Sequence, residues 1–426
     1  MRLSRFVGVL LVLSSLYCPL RAEDADVKTR VRTVRDLGKG GSESIAQLDA
    51  WLRDPAQEVR LEAVKAIAEV GSRSSIDPLL TATRDNDPEI QMRAVDGIVN
   101  FYLPGYLQSR AQKIGTKLKS AFSDQNDQVI PAYVNVRPDV IPAIGTLAAA
   151  GSSMESRATA ARAIGVLRGR AALPDLYKAL HSKDSAVIYE SLIAIQKIAD
   201  PAAAQNVLFL LNDGDEKVQI AALETVGMLR STAASDDLRK AYKRARTSKV
   251  RRTALTALAM IPDVANRPLF QEATADKDDG VRGAGWEGFA RLKNPSDDSM
   301  LRKAFDDEKK VAPRLAQAFG LVNLGHTEVT EFSALKYLVN TLNSRAHRGE
   351  AEPYLIELSR NPQVRENLYP LVADATREEK IGLGRVLSAS GDRNSVAALE
   401  KLSKDGDTEV AEESLRALRI LKARLP

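Results

Sequence analysis

Seven aspartates recur at one place in a repeating frame: Asp54, Asp85, Asp213, Asp276, Asp306, Asp374 and Asp405. Six residues further on, the same frame holds cations at Arg60, Arg157, Arg251, Arg282 and Lys380. Acids and bases in register could transfer protons or hold a metal ion. A device copied into every unit, however, serves the stacking of units, because an active site is needed only once. Asp at a helix start caps free backbone N–H groups, worth about 1 kcal/mol each, and its charge can meet an Arg of the adjoining unit. His181, His326 and His347 are scattered, and Cys18 is the single cysteine. No His-Glu-x-x-His, paired-Cys, Gly-x-Ser-x-Gly or Gly-x-Gly-x-x-Gly motif occurs. Gly38-Lys39-Gly40-Gly41-Ser42 lacks phosphate-loop spacing and reads as a helix end followed by the N-cap Ser42. No catalytic residue, metal site or cofactor is therefore expected. One cluster is not periodic: eight cations and no acid lie between Leu238 and Pro262, a composition that attracts an anionic surface.

The elements that must carry these side chains repeat about every 31 residues. Anchors stand at Val59, Ile90, Ser156, Val187, Val218, Val250, Val281, Val311, Glu379 and Val410, with two gaps of 66 and 68 residues. Large apolar residues follow eight residues after every anchor and eleven after nearly all, and small ones, such as Ala63, Ala222 and Gly285, mostly follow four after. These offsets share one helix face, and small side chains there let a neighbouring helix approach. A second apolar set, including Leu79, Leu176, Val207, Leu238, Leu269 and Leu301, defines a second helix per period, often entered through a proline such as Pro174 or Pro268. Helical hairpins of this size cannot bury both faces alone, so they stack. The expected fold is all-α, a right-handed α-solenoid of about eleven helical hairpins.

The run Asp54-Pro55-Ala56-Gln57-Glu58-Val59-Arg60-Leu61-Glu62-Ala63-Val64-Lys65-Ala66-Ile67 resembles the HEAT-repeat family, in particular its short, phycobilisome-lyase-type form. The resemblance covers nearly all of the chain beyond residue 22 and implies an ARM/HEAT-like superhelix, a general binding surface rather than a particular function. Ser156 and Glu379 depart from the apolar anchor, and the long gaps imply irregular or enlarged units near 101–138 and 343–376.

In related solenoids the second helix lines the concave surface. Just past its core positions stand Tyr177, Lys178, Phe209, Arg239, Lys240, Lys243, Phe270, Arg302 and Lys303, about 100° to 200° around the helix and so expected to be exposed. They form the expected partner-binding groove, basic and aromatic. The stretch 101–138, with Tyr102, Tyr106, Arg110, Lys113, Lys117, Lys119 and Tyr133, is a second candidate contact region.

Across the 426 residues, 61 Lys and Arg face 56 Asp and Glu, with 44% hydrophobic and 5% aromatic content. These values exclude a disulfide framework, a disordered tail and a multi-pass membrane protein. Arg2 and Arg5 precede an apolar run from Phe6 to Leu16, and Ala22 precedes Glu23, which is the pattern of a secretory signal peptide over residues 1–22. Tyr17 before Cys18 argues against lipidation. The mature chain, 23–426, then carries 58 cations against 56 acids once Arg2, Arg5 and Arg21 are removed, and no integral membrane span. The expected function is a non-catalytic protein-binding scaffold, exported to a periplasm or secreted, with a protein partner that presents an anionic surface. Binding of an acidic polymer, a cell-envelope glycan or nucleic acid, is the alternative, with nucleic acid disfavoured. A bilin-lyase-like or other enzyme is a third reading, the lyase implied by the resemblance alone.

Overall fold

A computed structural model describes residues 19–107, 128–131 and 133–425, and every regular element among them is helical. The chain divides into two compact units, residues 1–107 and 108–426. In the first, α1 (Pro19–Gly38) precedes two pairings of a short with a long helix. These are α2 (Ile45–Trp51) with α3 (Gln57–Val70), and α4 (Ile76–Ala82) with α5 (Pro88–Tyr102). The second unit begins with α6 (Val140–Ala150) and α7 (Met154–Val166), then α8 (Leu173–Ala179) and α9 (Ser185–Ile198), then a 3-10 turn (Leu208–Asn212) and α10 (Glu216–Met228). It continues with α11 (Ser235–Arg244) and α12 (Ser248–Ala259), α13 (Arg267–Ala273) and α14 (Asp279–Leu292), and α15 (Asp298–Asp307) and α16 (Val311–Asn323). The last hairpins are α17 (Ala334–Thr341) with α18 (Arg348–Leu358), α19 (Pro362–Leu368) and α20 (Leu371–Asp374) with α21 (Arg377–Ser390), and α22 (Ser395–Leu402) with α23 (Thr408–Arg424). Eleven hairpins are thus described, and the all-α solenoid holds.

The 68-residue gap contains one extra hairpin whose long helix, α18, packs between α16 and α21. Of the basic, aromatic stretch 101–138, residues 108–127 and 132 lie outside the described residues, and with them Arg110, Lys113, Lys117 and Lys119. Tyr102 and Tyr106 are core residues, while Tyr133 is exposed.

The aspartates five residues before the anchors do not cap the long helices, contrary to expectation. The N-cap stands two residues later: Asp87 accepts from the Ile90 N–H at 3.0 Å and Asp278 from the Val281 N–H at 3.0 Å, with Asp184, Asp215 and Asp407 in the same role. The earlier aspartate holds the turn instead. Asp85 accepts from the Asp87 N–H at 2.9 Å and Asp276 from the Asp278 N–H at 2.8 Å, an Asx turn that delivers the capping residue. Their second oxygens meet the neighbouring unit, as expected: Arg60 pairs with Asp85 at 2.8 Å, Arg251 with Asp276 at 2.6 Å and Lys380 with Asp405 at 2.7 Å. Arg282 is the departure, pairing with Glu308 at 3.4 Å rather than with Asp306. The irregular anchors have the same origin. Ser156 and Glu379 close capping boxes with Ser153 and Thr376, so a polar side chain serves the helix start where others place an apolar one. Ser42, by contrast, lies within a 3-10 turn entered through Gly40, and Gly41 takes the left-handed conformation at φ +66°.

Replacing Asp215 by alanine removes acceptors for the Lys217 and Val218 N–H groups and should lower stability by about 1 kcal/mol. Hydrogen bonds, led by one from Ser185, hold the Asp215 carboxyl below its usual range. A depressed folded value means that this stability is present above the unfolded Asp value of about 4 and is lost as pH falls through the folded one. Urea midpoints of the two proteins should therefore differ at pH 7 and converge near pH 3.

Small residues divide into two sets with separate tasks. Four residues past the anchor they admit the short helix: a Cβ on Gly285 would lie 2.9 Å from both the Ala273 Cβ and the Phe270 carbonyl oxygen. Seven and nine past it they admit the next long helix. A Cβ on Gly165 would meet the Ala194 Cα at 2.8 Å, and one on Gly227 the Ala257 Cα at 2.7 Å. Long helices therefore pack against one another almost backbone to backbone, which gives the row its rigidity.

Candidate functional site

The residues selected from the sequence sit on the short helices and on the 3-10 turn that stands in for one of them, and all but one are at least partly exposed. Tyr177 on α8 is half-buried, and burial raises its phenol above the usual value. Lys178 is exposed and pairs with Asp175 at 3.1 Å. Phe209, 50% exposed, stacks on His181 with ring centroids 4.5 Å apart. Lys243 and Lys303 are exposed. Phe270 is the exception and a correction: it is 1% exposed and belongs to the core, while Leu269 beside it is only half-buried. Gly288 on α14 leaves room for the ring, which shifts the buried position of α13 by one residue.

The expected basicity of this face is largely neutralised from one turn upstream. Arg239 pairs with Asp236 and reaches Asp263 at 3.4 Å, Lys240 pairs with Asp237 at 3.2 Å, and Arg302 pairs with Asp298 at 2.8 Å beside His326. The acid-free window from Leu238 to Pro262 was real, but the acids lie just outside it. What the short helices present is a row of ion pairs with exposed aromatic and lysine side chains between them. Each such pair adds little to stability, so its members remain available to a partner.

A second site lies where the C-terminal ends of α10, α14, α16 and α18 converge. Glu287 and Arg291, one turn apart on α14, are 5% and 9% exposed. Arg291 donates to Glu287 at 2.9 Å and to both Glu357 carboxylate oxygens at 2.7 and 2.6 Å, crossing the Phe319 ring on α16 to reach α18. Tyr354 donates to Glu287 at 3.0 Å and stacks on Phe319. Burial alone would lower the Arg291 guanidinium, but the two carboxylates outweigh it and raise it. Burial alone would likewise raise Glu357, yet the Arg291 charge and hydrogen bonds hold it below the usual range. Burial and the Glu287 charge push the Tyr354 phenol well above its ordinary value.

Beside this network opens a cleft of about 310 Å³ lined by Arg230, Lys293, Val322, Asn323, Glu357, Leu358, Arg360, Asn361 and Val364. Arg230, from the end of α10, comes within 3.4 Å of Glu357, 127 residues further along the chain. None of the lining residues was selected from the sequence, because the cleft assembles from four repeats. One signal was present. Arg230 and Lys293 stand twelve residues after their anchors, where the first repeat has Gly71, and share its left-handed conformation at φ +51° and +50° against +55°. Among the described residues no three His, Cys, Asp or Glu side chains come together as metal ligands.

A profile of the HEAT repeats matches residues 18–99, 141–224 and 204–290, together more than half of the chain. No curated protein matches. Several solved structures are similar. An engineered protein is 18% identical over 89% of this chain and 98% of its own, with a TM-score of 0.38. Human deoxyhypusine hydroxylase in complex with glycerol is 19% identical over 67% and 96%, with a TM-score of 0.29. The complex of CpcE and CpcF of phycocyanin lyase from Nostoc sp. PCC7120 is 16% identical over 69% and 92%, with a TM-score of 0.31.

Proposed function

The chain belongs to the HEAT-repeat family, and from that premise we propose that it is an exported, non-catalytic scaffold that binds a protein partner along its short helices. The observation that carries this reading is the division of labour between the rows. The periodic acids and bases are consumed by turns, caps and inter-repeat pairs, whereas the 3-10 turn Leu208–Asn212 and the short helices α11 and α15 leave Phe209, Lys240, Lys243 and Lys303 exposed. A surface of exposed aromatic and cationic anchors among pre-paired ions fits a protein partner with complementary acids. Export is supported by the leader-like run ahead of Ala22, and among the described residues no helix is long and apolar enough to cross a membrane.

The test combines Phe209→Ser, Lys240→Glu and Lys243→Glu in one variant. All three positions are exposed, so helix content and unfolding midpoint should stay within experimental error of the wild type. A partner cross-linked and purified with the wild type should be lost at least ten-fold with the variant. Retention at wild-type levels overturns the assignment to this face. Mass spectrometry of protein from the exporting host should find Glu23 as the first residue; an intact leader in the cytosolic fraction overturns the export reading.

A further inference from the structure

The cleft gathers cations from three helix ends around one carboxylate, Glu357, that Arg291 already holds. Lys293 and Arg360 are exposed and form no ion pair within 4.0 Å among the described residues. Among the described residues Arg230 pairs with Glu357 alone, at 3.4 Å, a carboxylate already taken by Arg291 at closer range. Asn323 adds a buried side-chain nitrogen with no hydrogen-bond partner. Val322, Leu358 and Val364 complete an apolar wall. Three cations around a cleft whose single carboxylate is neutralised from behind are a surplus of positive charge, and such a surplus collects a counter-charge.

We propose that this cleft binds a compact dianion of the phosphate type. A phosphomonoester carries about −1.5 to −2 charges and three acceptor oxygens, enough for two guanidinium groups and an ammonium approaching from different helices. The volume stands at the lower end of small-molecule sites, sufficient for the anion with a short organic stem against the apolar wall. Cations near helix C-termini also complement the helix dipole, and this is the competing explanation for Arg230 and Lys293. Their left-handed backbone decides nothing by itself, since Arg168 and Ala199 share it away from the cleft. A ligand here would tie the end of α10 to α18 and so stiffen the curl of the intervening repeats.

The experiment titrates the whole protein with inorganic phosphate at constant ionic strength, balanced with potassium chloride, and follows both calorimetric binding and the unfolding midpoint. Two variants accompany it. Lys293→Gly keeps the left-handed backbone, which glycine adopts without strain, and Arg360→Gln changes an exposed side chain. Saturable binding by the wild type that weakens at least about ten-fold in each variant supports the site. Propyl phosphate then separates the sources: tighter binding than inorganic phosphate assigns an organic phosphate that uses the apolar wall, and equal or weaker binding assigns the free ion. No saturable response in the wild type, or the same response in both variants, overturns the proposal. A variant that loses stability without phosphate, beside a wild type that does not bind it, establishes the helix-end explanation instead.

Discussion

Gly288→Ala should destabilise the protein by about 2 kcal/mol, although alanine is the better helix former by about 1 kcal/mol. The added Cβ would lie 2.3, 2.4 and 2.5 Å from three ring carbons of Phe270. The ring cannot yield toward solvent, because it is 1% exposed and packed beneath α14. Overpacking of this kind costs about 1–3 kcal/mol and at times more, so it outweighs the helix propensity. Phe270→Ala opens a cavity and should cost about 4 kcal/mol by itself. The double variant should cost clearly less than the sum, because the new methyl then enters space the ring has left; the expected coupling is about 2 kcal/mol. Repeats can open separately. The losses should therefore be read both from urea unfolding and from hydrogen exchange of α14, where protection falls first. A neutral or stabilising Gly288→Ala would show that the ring does not fill this notch.

How far the sequence disclosed this arrangement depends on the range of the interaction. Period, hairpin number and buried stripe were legible because they repeat: Val218, Ala222, Val226 and Leu229 all lie on one buried face, as their spacing requires. The Asp–Arg ladder was legible for the same reason, but Asp85 and Asp87 exchanged roles because both spacings place a carboxylate near the helix start and only backbone geometry separates turn from cap. Phe270 was misplaced through its partner on another helix: the room for its ring is made by Gly288, eighteen residues away. The stripe of small residues at Gly165, Ala194, Gly227 and Ala257 was present in the sequence, yet its task depends on which long helices are neighbours. The cleft was least legible of all. Arg230 and Glu357 meet only because the intervening repeats curl, and curvature is the sum of small rotations that no single repeat encodes.

The buried network beside the cleft should give the largest loss of all. Arg291→Met is expected to cost about 3–5 kcal/mol at pH 7, because it strands the Glu287 and Glu357 carboxylates in a largely dry site. Replacing all three residues, as Glu287→Gln, Arg291→Met and Glu357→Gln, should recover most of that loss, since no uncompensated charge then remains. The pH dependence separates this account from simple loss of packing. In the wild type, Arg291 holds the Glu357 carboxyl below its usual range. Its contribution is therefore present above the unfolded Glu value of about 4.3 and is lost as pH falls through the lower folded value. Without Arg291, burial is the larger influence on Glu357 and moves its folded carboxyl above the unfolded value. Protonation then favours the folded state, so the variant gains stability relative to the wild type as pH falls from 7 to 5. Urea midpoints at the two pH values should show the gap narrowing. A gap that stays constant would assign the loss to the missing alkyl chain over Phe319, and one below about 1 kcal/mol would remove the network as a stabilising element.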